Sequence, residues 1–278
     1  MSGRKAAYLL AVSAVLLGGP LATAKAAESL VIDGSTTVGP IADAFAEYFM
    51  KKMPALVITV KKTGSGDGAA ALLDGRCDIA AMSRFMKDTE FDSAVAKKVY
   101  PVAHAIAMDG VCVAVHPSNP AKDLKIGQIH DIYAGKITNW KDLGGPDLKI
   151  VVISRDTSSG TYEVFHEKVM KKDKMAEGVE YVTSSPQMHA RLSTTAGAIG
   201  YVGLGFIDEK VKALKVEGVP ANKRTIVSGA YAVARPLFLF TNGYPKLGSM
   251  VHTFCAFYLQ EEGQEIIEAK GFIPVTNY

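Results

Sequence analysis

Asp33-Gly-Ser-Thr-Thr-Val-Gly-Pro40 joins an apolar β-type run, Ser29 to Ile32, to an amphipathic helical pattern over Val38 to Met53. In that pattern Ile41, Ala44, Phe45, Tyr48 and Phe49 fall on one stripe, with Asp43, Glu47 and Lys51 opposite, so the stripe belongs to a core. The same order of apolar run, Gly/Ser/Thr loop and helix returns at Thr63-Gly-Ser-Gly-Asp-Gly68 and at Arg155-Asp-Thr-Ser-Ser-Gly-Thr161. Repetition of this order builds a mostly parallel sheet with crossover helices. Each loop also opens a helix, where unpaired N–H groups and the helix dipole favour an anion, and hydroxyls and glycines let it approach. Taken singly, such a loop is more often an ordinary N-cap. Three in one chain point to an oxyanion site.

Outward from these loops the alternation continues. Leu56 to Lys61 precedes a helical run at Gly68 to Asp74, and Asp78 to Met82 precedes a charged helical stretch near Phe91 to Lys98. Tyr100 to Met108 and Val111 to His116 are two apolar runs that meet at Asp109-Gly110. No long helix follows either, so they read as crossing strands. A second alternating set runs from the helix at Ile126 to Tyr133, through a strand at Leu148 to Ser154 and a helix at Thr161 to Met170, to the apolar-glycine run Ala198 to Gly205. Pro236 to Thr241 returns as a strand, and two helices close the chain. The expected fold class is α/β in two lobes, residues 27–108 with 235–278 forming one and 109–234 the other, with two crossing strands as hinge. Ligands of open α/β sheets bind beyond the carboxyl ends of strands, which places two loops opposite the third across a cleft.

Residues 1–26 read as a secretory signal peptide: Arg4 and Lys5, an apolar stretch from Ala6 to Leu17, then Ala-x-Ala sites at Ala22 to Ala24 and Ala24 to Ala26. The apolar run is short for a membrane span, and no cysteine follows it for a lipid anchor. The chain carries 31 basic and 28 acidic residues, and removal of Arg4, Lys5 and Lys25 with the signal leaves 28 of each. That balance argues against nucleic acid and against a polybasic membrane contact. Cys77, Cys112 and Cys255 lie far apart with no CxxC spacing, which disfavours zinc and thioredoxin-type redox chemistry and leaves buried inert thiols as the default, although two of them could pair. The six histidines are scattered, and no metal-type cluster, Gly-x-Ser-x-Gly elbow or Walker loop occurs. No metal, cofactor or catalytic residue is expected. A phosphatase using Ser159 as nucleophile is the weaker enzymatic alternative.

Two arginines can add full charge to the cradle. Arg155 opens the third loop beside Ser158-Ser-Gly-Thr161, and Arg84 follows the third apolar run in Ala81-Met-Ser-Arg84. A guanidinium matches a tetrahedral oxyanion bidentately. Arg84 reads equally as an anion ligand or as half of a structural ion pair.

Taken together, Gly34-Ser-Thr-Thr-Val-Gly-Pro40, Gly64-Ser-Gly-Asp-Gly68, Asp78-Ile-Ala-Ala-Met-Ser-Arg84, Gly135-Lys-Ile-Thr-Asn-Trp140, Arg155-Asp-Thr-Ser-Ser-Gly-Thr161 and Gly197-Ala-Ile-Gly-Tyr-Val-Gly203 resemble the phosphate-binding proteins of bacterial phosphate ABC transporters, a PstS-like periplasmic solute-binding family. The resemblance runs along nearly the whole mature chain. It implies the two-lobed periplasmic-binding-protein fold of type II, inorganic phosphate as ligand, a membrane permease as partner, a periplasmic location and a monomer. Carried over residue by residue, it implies donors from Ser35, Thr36 and Thr37, from Ser65 and Gly66, and from Arg155, Ser159, Gly160 and Thr161, with Arg84 as a further candidate. Gly135 to Trp140 shapes the second lobe or its transporter-facing surface. Larger members of the family place an Asp shortly after the third strand to accept the proton of hydrogen phosphate; this chain has Ser83 and Arg84 there. Discrimination against sulfate then needs another acceptor, and Asp67 and Asp156 are the candidates. Sulfate, molybdate or tungstate binding, or a secreted sensor on the same fold, remain the alternatives.

Overall fold

A computed structural model describes residues 28–276. The expected signal peptide lies outside the described residues. Twelve strands occur among the described residues: β1 (Ser29–Gly34), β2 (Val57–Lys61), β3 (Ile79–Met82), β4 (Pro101–Val115), β5 (Asp123–Leu124), β6 (Val151–Arg155), β7 (Glu180–Val182), β8 (Ala198–Gly203), β9 (Lys212–Ala213), β10 (Lys215–Val216), β11 (Ala234–Asn242) and β12 (Ile273–Pro274). The helices are α1 (Gly39–Lys52), α2 (Ser65–Leu73), α3 (Asp88–Ala96), α4 (Ile126–Tyr133), α5 (Gly160–Lys168), α6 (Ser185–Thr194), α7 (Lys223–Val227), α8 (Met250–Ala256) and α9 (Glu261–Ala269). The fold is α/β and two-lobed, built on one mixed sheet with the strand order β2-β1-β3-β11-β4-β8-β6-β7.

At one end of this sheet β2, β1 and β3 are parallel; at the other β8, β6 and β7 are parallel. The two ends are joined by antiparallel pairing through β11 and β4. Here the structure corrects the reading of Asp109-Gly110 as a junction between two strands: β4 is a single strand of 15 residues. Its first part pairs with β11 and its last five residues, Val111 to Val115, pair with β8. Asp109 does not turn the chain, because it sits in the ladder directly opposite Arg235 and bonds to it. Gly110 keeps the strand close to its neighbours, since a Cβ there would lie 2.8 Å from the Ile226 side chain. The strands that cross between the lobes are therefore β4 going out and β11 coming back, paired from Pro101 with Asn242 to Gly110 with Ala234.

Two large cores flank the crossing. In the first, α1 buries Ile41, Ala42, Phe45, Ala46 and Phe49, and Phe45 meets Phe257 edge-on with ring centroids 4.8 Å apart. Ala44 and Tyr48 of the expected stripe are half-buried at its margin. Pro40 suits the first turn of α1 because its missing N–H is not needed there. The second core holds Tyr133, Trp140, Phe165 and Tyr201, with Phe165 stacked on Tyr201 at 4.0 Å. Trp140 is buried and donates its indole N–H to the Gly197 carbonyl, so the Gly135 to Trp140 segment shapes this core. Cys77, Cys112 and Cys255 are all buried free thiols, and burial pushes Cys77 and Cys255 each up to about 12.

Candidate anion-binding site

The loop after β1 turns sharply at Gly34, whose φ of 131° and whose approach to the Ala81 carbonyl leave no room for a side chain. Ser35 then acts locally, its hydroxyl accepting the N–H groups of Thr37 and Val38 at 3.1 and 3.3 Å. Thr36 and Thr37 point across to the other side of the molecule. Thr36 Oγ1 lies 3.2 Å from Ser185 Oγ and accepts the Ser185 N–H at 3.1 Å, and Thr37 Oγ1 lies 3.0 Å from Thr161 Oγ1. Ser65, at the start of α2, lies 3.3 Å from Ser83 Oγ and accepts the Ser83 N–H. Facing it, Ser159 caps α5 by accepting the Tyr162 N–H, and Gly160 packs so closely that a Cβ would come within 2.5 Å of Ser65 Oγ. All of these hydroxyl residues are buried, Ser65 completely.

Buried hydroxyls and N–H groups from the β1–β3 end and the β6–β8 end thus meet in one cluster at four helix starts. The sequence reading missed the fourth. Val182-Thr-Ser-Ser-Pro186 repeats the strand, hydroxyl and helix order of the other loops, and it places Ser185 against both Thr36 and Thr37.

Arg155 is 1% exposed. Its backbone N–H donates to Tyr201 Oη, which also bonds Ser154, and its guanidinium donates to the carbonyls of Val182 and Thr183 and to Ser185 Oγ. Burial lowers its pKa, opposed by nearby Asp156, and a guanidinium stays charged over the physiological range. No carboxylate forms an ion pair with it among the described residues, so its charge is directed at the cluster through Ser185.

Arg84 is different. Its Nη1 and Nη2 donate to the two oxygens of Glu90 at 2.8 and 2.7 Å, and Nη1 also donates to the Phe85 carbonyl. Glu90, six residues further along the chain, is the carboxylate of the ion-pair reading, and it claims the end-on fork of the guanidinium, while Nε is buried with no hydrogen-bond partner among the described residues. The Gly66 N–H is also engaged, donating to the Ser158 carbonyl at 2.9 Å across the interface. Of the two acceptor candidates, Asp67 is exposed on the first turn of α2 and faces away from burial. Asp156 receives the Ser158 N–H and hydroxyl on Oδ1 and keeps Oδ2 buried with no hydrogen-bond partner among the described residues.

At the crossing of β4 and β11, Arg235 and Asp109 form an ion pair of 2.8 Å with both side chains buried. The sequence offers Asp109 only as part of the Asp109-Gly110 junction and gives Arg235 no role, since only strand register brings the two together. Burial raises the Asp109 pKa, and the Arg235 guanidinium with the Leu204 and Gly110 N–H groups opposes that rise. Among the described residues no group of three or more His, Cys, Asp and Glu side chains could hold a metal ion, and no helix is long and apolar enough to cross a membrane.

The PBP superfamily domain matches residues 20–262. The phosphate-binding protein PstS of Bacillus subtilis is 34% identical over 257 residues, covering 91% of this chain and 83% of its own. The chain belongs to the PstS family. Protein SphX of Synechococcus elongatus is 31% identical, with 98% of this chain and 86% of its own covered. Among solved structures, a Clostridium perfringens protein described as a phosphate ABC transporter substrate-binding protein, with bound phosphate, superposes with a TM-score of 0.82 at 35% identity over 90% of this chain and 100% of its own. An ABC-type phosphate transport receptor from Vibrio cholerae gives 0.70 at 31% identity, over 88% and 99%. Membership of the PstS family accounts for the two-lobed sheet and for the order of the anion-type loops along the chain.

Proposed function

We propose that this chain is an exported, monomeric solute-binding protein that captures inorganic phosphate between its lobes and delivers it to the permease of an ABC transporter in the bacterial envelope. The lobes are residues 27–108 with 235–278, and residues 109–234; the segment 1–26 is the export signal and the periplasm the destination. One observation carries the reading. A buried cluster of Thr36, Thr37, Ser65, Ser159, Thr161 and Ser185 sits at four helix starts beside an arginine with no carboxylate ion pair among the described residues, and its members come from both ends of the sheet.

Such a cluster is costly unless its donors are used. Hydrogen phosphate stripped of water takes charge-assisted bonds from Arg155 and further bonds from hydroxyls and helix-start N–H groups. No bond is made or broken. Contacts from both lobes favour the closed arrangement, and an ion touching one lobe alone would shift the hinge equilibrium little. Ser35 supports its loop, Gly66 contributes by closing onto Ser158, and Arg84 stays with Glu90. Asp156, with its spare buried oxygen, is the acceptor for the phosphate proton.

Calorimetric titration of ligand-stripped protein with phosphate and then sulfate tests this. One-to-one phosphate binding with sulfate silent is the expected result, and Asp156→Asn should narrow the difference between the two ions. Equal binding of both would make the chain a general oxyanion protein, and silence to both would end the transport reading.

A further inference from the structure

Arg235 has a geometry that fits a direct part in phosphate capture. It lies on β11 in register with Asp109 of β4, at the crossing between lobes, and is 3% exposed. A guanidinium has two forks, a side-on one of Nε and Nη2 and an end-on one of Nη1 and Nη2. Asp109 occupies the side-on fork, with Oδ2 accepting from Nε at 2.9 Å and from Nη2 at 2.8 Å. The other Asp109 oxygen accepts the Leu204 N–H at 2.8 Å, so the carboxylate is fixed at both ends.

The end-on fork lies toward the hydroxyl cluster. Nη2 is 3.5 Å from Thr37 Oγ1, the same oxygen that lies 3.0 Å from Thr161 Oγ1 and 3.3 Å from Ser185 Oγ. Nη1 is buried and has no hydrogen-bond partner among the described residues. Buried donors without partners are rare in folded proteins, and a charged one is especially unfavourable. An end-on guanidinium fork is also the shape that two oxygens of a tetrahedral oxyanion fill.

We propose that Arg235 is a second arginine ligand of the bound phosphate, donating from its end-on fork while Asp109 holds the side-on fork. This rests on the reading of phosphate capture. Asp109 balances the charge of Arg235, so Arg235 adds directed donors while Arg155 supplies the uncompensated charge. The contact also links the ion to the two strands that cross between lobes.

The test is calorimetric titration with inorganic phosphate of stripped wild type, Arg235→Lys, and the double variant Asp109→Asn with Arg235→Gln, each melted without phosphate to check folding. Lysine keeps the charge beside Asp109 but cannot serve both the carboxylate and the ion. The expected result is a loss of at least about tenfold in affinity for each variant with the phosphate-free melting temperature largely kept. A folded variant that binds within about twofold of wild type overturns the assignment while leaving phosphate capture intact. Wild type that does not bind phosphate overturns both. On the unaltered protein, the Arg235 guanidinium 15N resonances must move when phosphate is added, and static resonances in a phosphate-binding protein contradict the proposal even if the variants fail to fold.

Discussion

Three buried arginines surround the hydroxyl cluster, and their partners separate their roles. Arg84 is bound to Glu90 and Arg235 to Asp109, whereas among the described residues Arg155 donates to neutral oxygens alone. Removing a charged partner from a buried anion costs about 2 kcal/mol or more, and removing one neutral donor about 1 kcal/mol. Arg155→Ala should therefore weaken phosphate binding by about 30-fold or more, and Ser159→Ala by less than about tenfold, in calorimetric titration. Ser159→Ala should also lower the melting temperature of the phosphate-free protein, because the α5 cap is lost. Equal effects of the two substitutions would place the charge of the site elsewhere. At this scale the hydroxyls and Arg155 were legible, since helix starts are written in local sequence. The Arg84 ion pair is one of the two readings its sequence position allows, and Glu90 is its partner; the Arg235–Asp109 pair is not legible, because it depends on the register of β4 with β11.

Elements rather than single side chains decide how closely the two ends of the sheet meet. Gly160, the first residue of α5, is in van der Waals contact with the α2 start, and an added Cβ would fall 2.5 Å from Ser65 Oγ and 2.7 Å from Ser83 Oγ. Both obstacles are short side chains held by hydrogen bonds, so they cannot swing away cheaply. Gly160→Ala should hold α2 and α5 apart, costing about 1–3 kcal/mol of closure and weakening phosphate affinity by roughly tenfold, with the far-ultraviolet circular dichroism unchanged. Unchanged affinity would mean that the site does not need this approach. The strand-loop-helix units were read with boundaries near those found, because alternating apolar runs and Ser/Thr/Gly caps are local signals. β4 was divided at Asp109-Gly110 because that pair resembles a turn, and only its partners Arg235 and Ile226 explain why it stays extended. The α6 helix is legible from Pro186 onward, but its start is not counted among the anion-type loops although Thr183-Ser-Ser-Pro186 carries the same signal as the other three.

On the scale of the whole molecule, two cores are joined by β4 and β11 and drawn together at the cluster by contacts that need few residues: Thr36 and Thr37 to Ser185 and Thr161, Gly66 to Ser158, and the Lys87–Glu163 ion pair. The two-lobed α/β plan was legible from the two alternating sets and the strand that returns to the first. The closeness of the lobes was not, because it is made by long-range contacts between loops that look alike in sequence. In the proposed function one phosphate is held by both lobes at once. Hydrogen–deuterium exchange of stripped protein with and without phosphate reads this directly. Joint protection of the 35–38, 64–68, 159–163, 185, 187 and 188 amides on adding phosphate is the predicted result. Protection confined to one side of the β4–β11 crossing, or none in protein that binds phosphate, would contradict it.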